Sequence, residues 1–265
     1  MNTKSRIASI LDTKTLDSSV TGFPTFDLSS LESANDLEFD LPTNLRLGHL
    51  VEKIVSYSIQ SSQHYKLLYE NIQIKDDQKT IGEIDFIVED IRNQQLTHVE
   101  LAYKFYLYDP TISSKLNYNW IGPNRNDSLM EKLEKLRVKQ FPLLNHARTA
   151  SQLCNVDLKI VSQALCLLVS LFVPHHFKQT LPPSFQQAIK GYYVNLETFI
   201  SLHSDDRLYH IPIKTAWGID PQDNEDWHNY ASIISQLEIN MFEKQAPLCW
   251  QKQQGIYTAF FVIWW

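Results

Sequence analysis

The sequence predicts an α/β fold: a core of helix, antiparallel meander and second helix, followed by an α+β C-terminal extension. Three observations carry this. An apolar stripe with helical spacing (Leu47, Leu50, Val51, Ile54, Ser58) runs through LRLGHLVEKIVSYSIQSS at 45–62. Three strand-like runs follow closely, at about 65–74, 81–89 and 96–108, separated by the turn-forming segments KDDQK and DIRNQQ. Beyond residue 150 helical and strand-like patterns alternate with no internal repeat.

On this basis the chain divides into an N-terminal arm at 1–43, a core at 44–150 and an extension at 151–265 packed on it. The arm is rich in Ser, Thr, Asp and Leu. It carries one short helical run near Ser5–Leu11 and anchors through Phe23, Phe26 and Phe39. After the third strand, Gly122-Pro123 breaks the chain, and Asn126 or Asp127 is placed to cap a helix at about 128–140. In the extension, VDLKIVSQALCLLVSLF at about 155–172 reads as a central helix, apolar on most faces. GYYVNL and YHIPIKTAW read as short strands, and 225–243 as a helix burying Trp227, Tyr230, Ile233, Ile234 and Leu237. The end of the chain reads as an aromatic β-hairpin turning at Gln253–Gly255.

Composition narrows the function classes. A hydrophobic content of 43% and an aromatic content of 12% describe a packed globular chain. No apolar run reaches the roughly 18 residues of a membrane span, and the N-terminus has no apolar leader, so neither a membrane partner nor a secretory signal is expected. Three cysteines without C-x-x-C spacing fit reduced thiols and a cytoplasmic setting. His175-His176 lacks further ligand spacing and makes no zinc site. Neither Gly-x-Ser-x-Gly nor a glycine-rich phosphate loop is present. Net charge is −6, distributed as −4 in the arm, +1 in the core and −3 in the extension.

The core holds the unusual chemistry. Asp85 lies inside the apolar run IDFIV and Glu100 inside HVELAYKF, each on the side of its strand expected to be buried. Buried carboxylates cost free energy unless something pairs with them, and a divalent cation takes two together. Glu100, Ala102 and Lys104 share one strand face. Glu83 shares the face of Asp85. Asp109, Asn124 and Asp127 follow the third strand and either line the site or serve as turn and cap residues. The segment MEKLEKLRVKQ is a modest basic helix whose Lys132, Lys135, Lys139 and Gln140 are candidates for nucleic-acid contacts, or else form a solvated face. The aromatic tail (Trp250, Tyr257, Phe260, Phe261, Trp264, Trp265) either stacks bases or packs the core.

The order of these pieces resembles the PD-(D/E)XK superfamily, the restriction-endonuclease-like fold. GEIDFIVED followed by HVELAYK is similar to the G-E-I-D…V-E-V-K signature of several of its families. RLGHLVE, TIGEIDF, HVELAYKFYL and WIGPN…D…K together resemble an uncharacterised bacterial family within it. The resemblance covers roughly residues 46–140 and implies a Mg²⁺- or Mn²⁺-dependent nuclease acting on DNA or RNA. It implies Glu52, Asp85 and Glu100 as metal ligands. It gives Lys104, with Asp85 and Glu100, the catalytic role of orienting water or stabilising developing charge. The pattern departs from the superfamily at Ala102, which occupies the usual lysine slot. Lys104 lies two residues further on, its Cα about 13 Å from that of Glu100 on an extended strand. Lys53, Lys132 and Lys135 are alternative cations. Two other readings accompany the nuclease: a catalytically inactive nucleic-acid- or protein-binding module, and a structural subunit docking through the aromatic hairpin.

Overall fold

The structure, a computed structural model, describes residues 3–31, 39–42, 44–77 and 79–265. Residues 32–38 of the arm and Gln78 of the first turn lie outside the described residues. The fold is mixed α/β, with parallel and antiparallel strand pairs and flanking helices. In chain order the strands are β1 (Tyr65–Asp76), β2 (Lys79–Asp90), β3 (Gln95–Tyr108), β4 (Trp120–Ile121), β5 (Ser162–Pro174), β6 (Ile189–Asn195), β7 (Leu208–His210), β8 (Leu248–Gln253) and β9 (Ile256–Ile263).

The chain forms two compact units that interleave along the sequence. One comprises Thr15–Tyr103 and Glu131–Leu168; the other comprises Met1–Lys14, Lys104–Met130 and Val169–Trp265. Two long strands, β3 and β5, each begin in the first unit and end in the second.

The first unit is built on the meander. β1 pairs antiparallel with β2 from Tyr65–Asp90 to Asp76–Lys79, and β2 pairs antiparallel with β3 from Asp90–Gln95 to Phe86–Val99. The helix Leu47–Gln60 buries Leu50, Val51, Ile54 and Ser58 along its stripe, as its spacing predicts, and Val55 and Ile59 beside them. Ile74, Ile84, Ile87, Leu143, Leu144 and Leu153 form a buried cluster. The arm phenylalanines dock here: Phe23 on Phe141, Phe26 edge-on to Tyr65, and Phe39 stacked on Tyr57 with ring centroids 4.1 Å apart.

The second unit holds the mixed part of the sheet. β6 lies parallel to both β5 and β9, and β8 pairs antiparallel with β9 and β7. The terminal hairpin turns through Gln254 and Gly255, whose φ angles of 50° and 80° are those of a two-residue hairpin turn. Phe260 and Phe261 are buried, so core packing accounts for these two tail aromatics. The helix Tyr230–Phe242 buries Ile233 and Leu237.

One expectation is overturned. The apolar run at 155–172 is not a helix: Ser162–Pro174 is strand β5, preceded by a short 3-10 turn at Leu158–Ile160. Its residues Ala164 to Phe172 are all buried. A strand covered on both faces loses the two-residue alternation, and its period then no longer separates it from a buried helix. Of YHIPIKTAW only Tyr209 and His210 are strand, as the end of Leu208–His210, with Ile211-Pro212 ending it.

Candidate functional site

Register places the two central acids. The β2–β3 ladder ends at Phe86–Val99, and the next rung in the same register is Asp85 opposite Glu100. Directly opposed residues of an antiparallel pair project from the same face, and like charges there repel. Leu101 would face Ile84 if the ladder continued. Instead its N–H donates to Asp85 Oδ2 at 2.7 Å. The ladder thus opens where the carboxylates begin, and one of them takes over an amide that the partner strand would otherwise bind.

Glu100 is 1% exposed and held at both oxygens. His98 Nε2 lies 2.8 Å from Oε1, and Gln140 Nε2 donates to Oε2 at 3.3 Å. Gln163 Nε2 donates to the Phe141 carbonyl at 2.7 Å and faces His98 Nδ1 at 3.3 Å. An amide nitrogen has only protons to offer, so Nδ1 accepts and the imidazole proton sits on Nε2, pointing at Glu100. His98 is fully buried beside the Phe141 ring.

Two further acids complete the group. Glu52, three-quarters buried on the helix Leu47–Gln60, lies 3.0 Å from His49 Nδ1 through Oε2. Glu83 is half-buried on β2. Burial, then the charge of Glu100, push the Asp85 carboxyl up to about 8; Glu52 adds to this, while the Leu101 amide and the Lys132 ammonium oppose it. Glu83 is raised by burial and by the charges of Glu52 and Glu100, with His49 acting the other way. The four carboxylates therefore share one electrostatic neighbourhood, although no three of them bring oxygens within 4.8 Å of one another.

The cations divide unexpectedly. Lys104, expected to serve the acids, belongs to the second unit and donates to Asp127 Oδ2 at 2.6 Å. Gly122 makes room for that arrangement: a Cβ there would sit 2.0 Å from Asp127 Oδ1. Asp127 thus pairs with Lys104 just ahead of the helix Leu129–Lys135. Asp109 pairs with Arg125 at 3.1 Å, and Asn124 accepts from the Ala246 N–H. Lys53 lies 3.7 Å from Glu70. The lysine whose charge acts on Asp85 is Lys132, half-buried on the helix Leu129–Lys135. Lys135 and Lys139 are exposed.

Gln140 turns inward because the helix widens ahead of it. Residues Leu136–Gln140 form a π turn in which the Phe141 N–H reaches back to the Leu136 carbonyl. Gln140 donates to the Glu83 carbonyl at 3.4 Å as well as to Glu100, bridging β2 and β3 where their ladder is open. Gly82, in the GEID run, allows the close packing: a Cβ at this position would lie 2.3 Å from Leu143 Cδ1.

Sequence reasoning missed His98 and Gln163. His98 had a signal, standing two residues before Glu100 on the same strand face. Gln163 had none, since its role depends on β5 lying beside β3. A cavity of about 530 Å³, lined by Phe105, Lys190, Asp220, Asp223 and Trp250 among others, belongs to the second unit, and none of the four acids lines it.

A family model described as a domain of unknown function, DUF1853, matches residues 24–255. The chain belongs to this family. The DUF1853 match includes Glu52, Glu83, Asp85, His98, Glu100, Lys104, Lys132, Gln140 and Gln163. No curated protein and no solved structure matches the DUF1853 chain.

Proposed function

We propose that this chain is a divalent-metal-dependent, nuclease-like protein that hydrolyses phosphodiester bonds of DNA or RNA, on a restriction-endonuclease-like core of the PD-(D/E)XK type. The observation that carries the reading is the Asp85–Glu100 rung, a half-buried and a fully buried carboxylate facing each other where the β2–β3 ladder opens. Such an arrangement is costly in isolation and is relieved by a cation.

The donor set fits a hard ion. Asp85, Glu100, Glu52 and Glu83 offer only carboxylate oxygens, which suit Mg²⁺ or Mn²⁺, and Mg²⁺ needs just one or two protein carboxylates beside its waters. Asp85 and Glu100 would hold the ion, with Glu52 at its edge. In place, it would supply Lewis-acid polarisation of a phosphate and a more acidic bound water. The chain's own groups do the rest. Asp85, whose carboxyl is raised by burial and by the charge of Glu100, would give up its proton to hold the ion. His98 and Gln140 keep the Glu100 carboxylate from turning. Lys132 supplies the positive charge that Lys104, engaged by Asp127, does not bring. Lys135, Lys139 and the solvent-facing side of their helix would take the nucleic-acid backbone. The free thiols Cys154, Cys166 and Cys249 support a cytoplasmic setting.

One observation favours a second reading. Ala102 in the superfamily's lysine slot, together with the Lys104–Asp127 pair, suits a non-catalytic descendant that binds nucleic acid or protein. A cleavage assay separates the two. The purified chain should cut a DNA or RNA panel with Mg²⁺ or Mn²⁺, and Asp85→Asn should not. Binding without cutting and without metal dependence would select the second reading. Cutting that survives in Asp85→Asn would overturn the assignment of the site.

A further inference from the structure

We infer that His210, Asp226 and His228 form a transition-metal site in the second unit, separate in chemistry from the acid group and taking Zn²⁺ or a similar borderline ion. Each residue offers a donor atom, and these atoms all lie within 4.8 Å of one another. His210 Nδ1 stands 3.5 Å from Asp226 Oδ2, and His228 Nε2 stands 3.2 Å from Asp226 Oδ1. Donors about 2.0–2.1 Å from a tetrahedral zinc are about 3.3 Å apart, so the two imidazoles, each beside a different oxygen of Asp226, would draw together to close on an ion.

The environment of the same atom points the same way. His210 Nδ1 is shut off from solvent and makes no hydrogen bond of normal geometry, Asp226 being its polar neighbour. A buried polar atom left unmade costs free energy, and a metal ion reached from Asp226 and His228 would satisfy it. Two imidazoles and one carboxylate are a donor set for zinc, cobalt, nickel or copper and a poor one for Mg²⁺, which seeks oxygen alone. Solvent would reach a bound ion, because Asp226 and His228 have side chains 67% and 44% exposed.

The scaffold is built rather than incidental. Tyr209 and His228 exchange two backbone hydrogen bonds of 2.7 and 2.8 Å, tying the loop before the helix Tyr230–Phe242 to β7. Trp250, opposite His210 on β8, stacks on the His210 ring with centroids 5.4 Å apart. Asn224 braces the loop by donating to the Asp226 carbonyl and accepting from Trp227 Nε1.

The test uses the full chain, stripped of metal with a chelator. Calorimetric titration with Zn²⁺ should show one ion bound per chain, and Co²⁺ should give the visible absorption of a low-coordinate N/O site. His228→Ala and Asp226→Asn, both at exposed side chains, should each weaken Zn²⁺ binding at least tenfold while thermal unfolding without metal is unchanged. Asp85→Asn should leave Zn²⁺ binding as it is, which separates this site from the proposed nuclease centre. No binding, binding unchanged in the Asp226→Asn/His228→Ala double variant, or binding lost in a His175→Ala/His176→Ala variant instead would each overturn the inference.

Discussion

Asp85 and Glu100 face each other one rung beyond the last paired rung of β2 and β3, and the Asp85 carboxylate binds the Leu101 amide there. The pairing stops at these two acids. A carboxylate in the sheet's hydrogen-bonding plane both ends the ladder and keeps the freed amide satisfied. The remaining instability is electrostatic, and it is what the following predictions use.

Stability of the metal-free chain should fall as pH rises. The folded-state Asp85 value of about 8 exceeds the ordinary 3.8. Between these limits the folded chain therefore holds a proton that the unfolded chain releases. The contribution is fully present below 3.8 and is lost as pH climbs through about 8, with a slope of at most about 1.4 kcal/mol per pH unit. Asp85→Asn should flatten this part of the profile and unfold later than the wild type at pH above 8. Thermal scans of both proteins across pH 5–9 check it, and parallel profiles would refute the burial of that charge.

Added Mg²⁺ or Mn²⁺ should raise the wild-type unfolding temperature, and more so at pH 8 than at pH 6, because the ion competes with the Asp85 proton. Glu100→Gln and Asp85→Asn should each abolish the shift. An equal metal shift in the two variants would place the ion elsewhere.

If the protein cuts nucleic acid, Lys132→Ala should reduce the rate by about 10²-fold, the size of losing one preorganised charge at a reacting centre. Lys104→Ala should change it by less than about threefold, since its ammonium is held by Asp127. The reverse ranking in single-turnover assays would return the role to Lys104.

Removing His98 should cost about 3 kcal/mol, because Glu100 loses a partner while remaining buried. Urea unfolding of His98→Ala measures this. Glu100→Gln in the same background should recover part of the loss, the sign expected when the penalty comes from the stranded charge.

Gly82→Ala should destabilise by about 1–3 kcal/mol through overpacking against Leu143, and Leu143→Ala should offset part of that in the double variant. Additive losses in equilibrium unfolding would mean that the two do not meet.

The sequence was most legible where local physics is strong. The stripe of Leu47–Gln60, the three meander strands and the Gln254–Gly255 turn were each visible in periodicity or turn chemistry. So were the two acids on inward faces, because a charge inside an apolar run stands out. β5 was misread as a helix, since a strand buried on both sides shows no alternation. Lys104 was expected with the acids because strand period put it on the Glu100 face, and period says nothing about an acid twenty-three residues on.

By itself, then, the sequence determined the α/β class, the order of core elements and the burial of Glu100, all of which follow from short-range hydrophobic pattern. Tertiary structure alone decided who their partners are. The His98 proton direction depends on Gln163, the inward turn of Gln140 on a widened helical turn, and the cation at Asp85 on how Lys132 sits. It also brought His210 to Asp226 and His228 through a two-bond bridge. Electrostatic and hydrogen-bond partners act over a few ångströms in space, whatever their separation in the chain, so no periodicity encodes them.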